Sequence, residues 1–220
     1  TDTLVVATTA LVAISGNPTI AELNAIAAKT TGVVTATLAS TAIAALTHVS
    51  TGLATAATDV ITIPVSDKAT ATQGANIAGK TAGNITFSQG IEDSHGNLIN
   101  TAAIHADLTA IYANGGCDAV VVNITGTIDD ITANEVTALN LITAGTTGTV
   151  TATVDGNVAQ LKTITASSGA FTITVDDVPN TADGATITET TSVATVAFAA
   201  GINDTSTNLF QTGNYTNLDK

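Results

Sequence analysis

The side chains best suited to chemistry in this chain are carboxylates gathered in turn-forming stretches. Glu92, Asp93 and Asn97 fall within Gly90-Ile-Glu-Asp-Ser-His-Gly-Asn97, Asp176, Asp177 and Asp183 within Asp176-Asp-Val-Pro-Asn-Thr-Ala-Asp-Gly184, and Asp129 adjoins Asp130. Hard oxygen donors close together in a loop are what Ca²⁺ requires, so calcium is the expected cation, each loop supplying its own ligands. None of the three has the EF-hand spacing or the glycine-rich nonapeptide of calcium-binding β-rolls. The same residue types also serve as solvated turn and cap residues, and both roles stay open for these eight positions.

Covalent chemistry has less to draw on. His48, His95 and His105 form no His-x-x-x-His pair, and the chain has no G-x-S-x-G elbow and no phosphate-binding glycine loop. Asp93-Ser94-His95 places triad residue types consecutively, whereas triad members converge from separate parts of a fold. Cys117 is the lone cysteine, so no intramolecular disulfide forms, and between Gly116 and Asp118 nothing cationic lowers its pKa. With two tyrosines, four phenylalanines and no tryptophan, a sugar-binding groove would be poorly furnished. The chain is therefore expected not to be an enzyme.

The elements that position these residues come from repetition. The segment Thr19-Ile-Ala-Glu-Leu-Asn-Ala-Ile-Ala-Ala-Lys-Thr-Thr-Gly32 returns in decayed form at Ala106 to Gly116, at Leu139 to Gly148 and at Ile77 to Gly83, with weaker copies ending at Gly52 and at Ser168-Gly169. The closing glycines at 32, 52, 83, 116, 148 and 169 are spaced at the period of arrays in which each repeat buries its apolar face against the next.

Within one repeat the grammar is local. Thr19 with Glu22, and Thr132 with Glu135, are capping boxes that predict helix starts. Gly32 is expected to end the first helix in the left-handed conformation, and Val33 to Leu38 follows as a β-branched strand. Asp155-Gly156 reads as a helix N-cap ahead of Val158 and Leu161. From about Ala170 the segments Phe171–Val175, Ala185–Glu189 and Val193–Phe198 alternate as strands without helices between them. Helix, glycine and strand in repetition imply parallel strands with helices on one face. The expected fold is an α/β repeat solenoid, shading toward a parallel β-helix, with a β-rich C-terminal module. Its divisions are residues 1–18 as an N-terminal strand or cap, 19–169 as the repeat array and 170–220 as the C-terminal module.

Composition narrows the partners. The 18 acidic residues face five lysines and no arginine, giving a net charge of -13, so the chain cannot neutralise phosphates and neither nucleic acid nor an anionic membrane surface is expected as a partner. Leu4 to Ile14 is too short for a membrane span and reads as the segment that docks on other copies. Threonine fills roughly one position in five, and Thr-x-Thr pairs such as Thr35/Thr37, Thr151/Thr153 and Thr172/Thr174 place hydroxyls on alternate strand positions. N-glycosylation sequons occur at Asn84, Asn123, Asn203 and Asn214. The chain lacks methionine, and Thr1 reads as the start of a processed chain or of an excised piece whose signal peptide has gone.

Leu-Asn-x-Ile-x-x-Lys-Thr-Thr-Gly-Val-Val-x-Ala, as in Leu23 to Ala36, resembles the repeats of very large secreted surface proteins of cyanobacteria and marine bacteria, of the S-layer, haemolysin-like or adhesin type. The resemblance covers Thr19 to Phe171 and extends to the acidity and the lack of arginine. It implies a secreted, extracellular or cell-surface protein that is structural or adhesive and depends on calcium. The expected function is self-assembly with copies of the same chain into a surface layer, sheath or filament. The alternative is an adhesin module that recognises glycan or ice.

Overall fold

The computed structural model describes residues 8–165, 169–189, 195–205 and 208. The first seven residues of the chain, Ser168, Val193 and the sequon at Asn214 lie outside them. In chain order the elements are β1 (Val12–Ala13), α1 (Ile20–Ala27), β2 (Val34–Thr37), α2 (Ile43–Leu46), β3 (Val60–Val65), α3 (Ala71–Ala78), β4 (Ile85–Phe87), β5 (Ile91–Ser94), α4 (His95–Leu98), β6 (Ile99–Asn100), β7 (Ala103–Ile104), α5 (Ala106–Tyr112), β8 (Val122–Ile128), α6 (Ala133–Ala144), β9 (Val150–Gly156), α7 (Val158–Leu161), β10 (Gly169–Val175), α8 (Thr181–Glu189) and β11 (Thr195–Phe198).

The fold is α/β with parallel sheets, divided into two compact units. One comprises the residues up to Ile91 together with Asp107–Val120, and the other Glu92–Ala106 together with the residues from Val121 on. In the first unit the sheet runs β1-β2-β3-β4, each strand parallel to and hydrogen-bonded with the one before it in the sequence. The second unit contains β8, β9, β10 and β11 side by side in the same serial order, all parallel, with β5 beyond β8. A short antiparallel hairpin, β6-β7, accompanies them.

Serial parallel pairing requires a crossover between each pair of strands, and short helices supply most of these. Both predicted capping boxes form: the Thr19 and Thr132 hydroxyls accept the N–H groups of Glu22 and Glu135, whose carboxylates return to the threonine N–H. A third box, Thr70 with Gln73, starts α3. The inward strand faces are aliphatic and dry. Val150, Ala152 and Val154 of β9 and Phe171, Ile173 and Val175 of β10 are buried, as are Ile61, Ile63 and Val65 of β3. At about 25 cal/mol per Å² of apolar surface removed from water, burial of these stripes stabilises the fold.

Three local expectations are corrected. Ala185–Glu189 is the second half of helix α8, not a strand. Its start is set by Asn180, whose Oδ1 accepts the Asp183 N–H at 2.8 Å. Asp155-Gly156 ends β9, and the cap of α7 is Asn157, whose side chain accepts the Gln160 N–H. The repeat glycines also act otherwise than expected. Among the described residues the glycines with positive φ are Gly16, Gly90, Gly126 and Gly201, none of them a closing glycine. Gly32, Gly83 and Gly116 instead lie against the backbones of Ala10, Ile61 and Ile85, where a Cβ would collide with the carbonyl groups. They are glycines because one backbone passes directly over another.

Candidate metal centre

The close approach at each glycine is accompanied by a polar tie from the residue two positions earlier. Thr30 Oγ1 accepts the Gly32 N–H at 2.9 Å and donates to the Ala10 carbonyl at 2.6 Å. Thr81 Oγ1 accepts from Gly83 and Ile61, each at 2.8 Å, with the Asp59 and Ile61 carbonyls within reach of its own proton. Asn114 Oδ1 accepts from Ile85 at 2.9 Å and Gly116 at 3.2 Å, while its Nδ2 donates to the Gly83 carbonyl at 2.9 Å. Buried Asp59 takes the Val34 N–H on Oδ1 and the Ala56 N–H on Oδ2, both at 2.8 Å. These bonds satisfy backbone groups that the short strands leave unpaired.

The chemistry-bearing cluster lies at the C-terminal ends of three strands in the second unit. After β8 the chain turns through Asp129 and Asp130, the latter in the left-handed region with φ 48°, which aspartate tolerates better than most residues. The Ile131 N–H then bonds the Asp155 carbonyl at 2.9 Å, which brings Asp130 beside β9. Asp155 is in register with Thr174 of β10. Asp176 follows β10, its N–H on the Gly156 carbonyl at 3.0 Å. One carboxylate oxygen each from Asp130, Asp155 and Asp176 lies within 4.8 Å of the other two, and among the described residues no other group of three metal-ligating side chains converges in this way.

Like charges at this range repel. A hydrogen bond with Asp155 raises the Asp176 carboxyl above its ordinary value, helped by loss of solvent and by the charges of Asp155, Asp130 and Asp177. A cation would relieve the same repulsion. The donor set is all-oxygen, anionic and hard, which fits Ca²⁺, with water or turn carbonyls needed to complete its coordination.

The eight sequence candidates thus fall into different roles. Asp130 and Asp176 join each other and Asp155 instead of ligands in their own loops. Asp129 is an exposed turn residue. Asp93 Oδ1 accepts from the Ser94 N–H and from Asn97 Nδ2 at 2.7 Å, a local turn contact. Glu92 accepts from Asn123 Nδ2 at 2.6 Å, and Thr151 donates to Asn123 Oδ1, so the Asn123 sequon has its carboxamide engaged. Asp177 Oδ1 accepts the Val158 N–H at 2.7 Å. Asp183 pairs with Lys162 at 3.2 Å and accepts from Asn180. Asp155 was missed because its signal is its position at a strand end opposite two others, which no sequence spacing encodes.

The outward face of the same sheet carries a second regular feature. Thr127, Thr153, Thr172 and Thr195 lie directly opposite one another across β8, β9, β10 and β11, all exposed. Cys117 is buried, its Sγ against the Ile85 carbonyl, and burial with the nearby Asp118 charge pushes the thiol up to about 12. His48 is a turn residue whose Nδ1 accepts the N–H groups of Ser50 and Thr51. No family model matches the chain, and neither a curated protein nor a solved structure matches it.

Proposed function

We propose that this chain is part of a secreted structural protein, an α/β repeat solenoid that self-associates into a surface layer, sheath or filament and binds calcium at Asp130, Asp155 and Asp176. The observation that carries the reading is serial growth. Each strand of the four-stranded sheet, and each from β8 to β11, adds in parallel beside its predecessor, and recurrent ties such as Thr30, Thr81 and Asn114 bind one repeat to the previous one. Architecture of this kind extends by addition and offers unpaired strand edges to further copies. Extracellular placement rests on the resemblance to secreted surface proteins and on the acidic, arginine-free composition.

The test is sedimentation and electron microscopy of the purified chain over a range of concentrations, with calcium and with EDTA. Concentration-dependent polymers support the reading, and a monomer under all conditions overturns it.

One observation favours a second reading, an adhesive module for ice or a crystalline glycan. The in-register threonines 127, 153, 172 and 195 present methyl and hydroxyl groups at the interstrand spacing of about 4.8 Å. This reading gives a monomer with thermal hysteresis or retention on a crystalline polysaccharide, and loss of either when Thr153 and Thr172 become valine or lysine.

A further inference from the structure

The chain contains a single Asn-Gly step, Asn114-Gly115, at the point where a side chain ties one repeat of the first unit to another. We propose that Asn114 is a site of spontaneous deamidation which folding keeps closed, and that its conversion to an acid cuts this tie.

The chemistry needs no partner but water. The Gly115 backbone nitrogen, giving its proton to solvent, attacks Asn114 Cγ. The new C–N bond closes a five-membered succinimide as the bond from Cγ to the side-chain amide nitrogen breaks, and that nitrogen takes up a proton from solvent and leaves as ammonia. Water then opens the ring at one carbonyl to give aspartate or at the other to give isoaspartate. Nothing is oxidised or reduced. Glycine after asparagine favours the step because no Cβ shields the attacking nitrogen, and Gly115 is exposed.

In the folded chain the carboxamide is held by the Ile85 N–H, the Gly116 N–H and the Gly83 carbonyl, with the Cys117 thiol also against its oxygen. The turn itself is closed by the Cys117 N–H on the Asn114 carbonyl at 3.0 Å. Swinging Cγ onto the Gly115 nitrogen breaks the side-chain bonds together, so reaction proceeds from a locally opened state and its rate follows the population of that state.

The consequence of conversion follows from the equivalent positions. Thr30 and Thr81 each accept from the glycine N–H two residues on and also donate to a carbonyl across the contact. Asn114 performs both halves with its two amide atoms. Aspartate keeps the accepting half only and turns an anionic oxygen toward the Gly83 carbonyl. Isoaspartate lengthens the backbone by one carbon just where Gly116 must lie flat against Ile85.

The test incubates the full chain at mildly alkaline pH, folded and in urea, and measures deamidation and isoaspartate at Asn114 by peptide mapping. Conversion in urea with at least about tenfold slowing in the folded chain is expected. Equal rates overturn the protection, and no conversion in urea overturns the site. Two variants test the tie. Asn114→Asp melts below the parent, while Asn114→Thr, which installs the residue used at positions 30 and 81, folds, melts near the parent and does not deamidate. An Asn114→Asp chain that fails to fold supports the tie if Asn114→Thr folds. A parent-like melting temperature for Asn114→Asp, or failure of Asn114→Thr to fold, overturns it.

Discussion

The carboxylate of Asp177 accepts the backbone N–H of Val158 at 2.7 Å, so the first turn of α7 is held by a residue that follows the next strand of the sheet. The relation recurs. Asp67 Oδ1 takes the Ile43 N–H at the start of α2 at 2.7 Å, and Asp204 Oδ2 takes the Thr181 N–H at the start of α8 at 3.0 Å. Each helix presents a donor with no partner inside the helix and a partial positive charge, and each receives an anion from further along the chain.

Asp67→Ala is expected to cost about 1 kcal/mol or more, because Ala42 supplies no side-chain cap to α2. Asp177→Ala costs less, since Asn157 still caps α7. Asp129→Ala, on an exposed turn, is near neutral. Urea unfolding midpoints check the order.

Asp204 gives the fold an acid-sensitive contribution. Hydrogen bonds from the Thr181 side chain, from Asn208 and from the Thr181 and Thr205 N–H groups hold its carboxyl well below the usual carboxylate range. A depressed folded value contributes stability that is present above the unfolded pKa of about 3.9 and is lost as pH falls toward the folded value. Asp204→Asn should therefore melt below the parent at pH 7, and the gap should close on acidification below about pH 4.

Asp176 has the opposite sign. Its raised carboxyl means that the folded state is favoured by protonation, a benefit present below the ordinary carboxyl range and lost as pH rises through the raised value. Asp176→Asn should raise the melting temperature at neutral pH, with the difference fading near pH 4. Calcium should raise the melting temperature of the parent and lose that effect in Asp155→Asn. Differential scanning fluorimetry with calcium and with EDTA reads both.

Two glycine substitutions should diverge. Gly83→Ala drives a methyl into the Ile61 backbone and is expected to destabilise by about 1–3 kcal/mol or more. Gly96→Ala meets nothing within 4 Å and lies in helix α4, so a gain of about 0.5–1 kcal/mol is expected. Thermal melts of the two variants make the comparison.

What was legible in the sequence was local. Thr19 with Glu22 and Thr132 with Glu135 announce helices because both partners sit within one turn, and the β-branched run after Gly32 is strand for the same reason. Helix α8 escaped because its alternating threonines favour strands by propensity, while its start relies on Asn180 and Asp183 in place of the Thr-x-x-Glu signature. At Gly32, Gly83 and Gly116 the reason for the glycine is a contact with a distant backbone, while Gly52 lies against its own turn and Gly169 opens β10. The triad of Asp130, Asp155 and Asp176 was least legible, since three strand registers have to be known before those carboxylates meet.

The ties at Thr30, Thr81 and Asn114 bear on how such a gene lengthens. On the proposed repeat reading, duplicating one full period inserts a segment that arrives with joints of the kind seen at positions 30, 81 and 114 ready made. Duplicating a fraction of a period strands a polar group with no mate. On that reading, tandem copying in whole periods is the mutational route that this backbone tolerates, and copy number becomes free to vary.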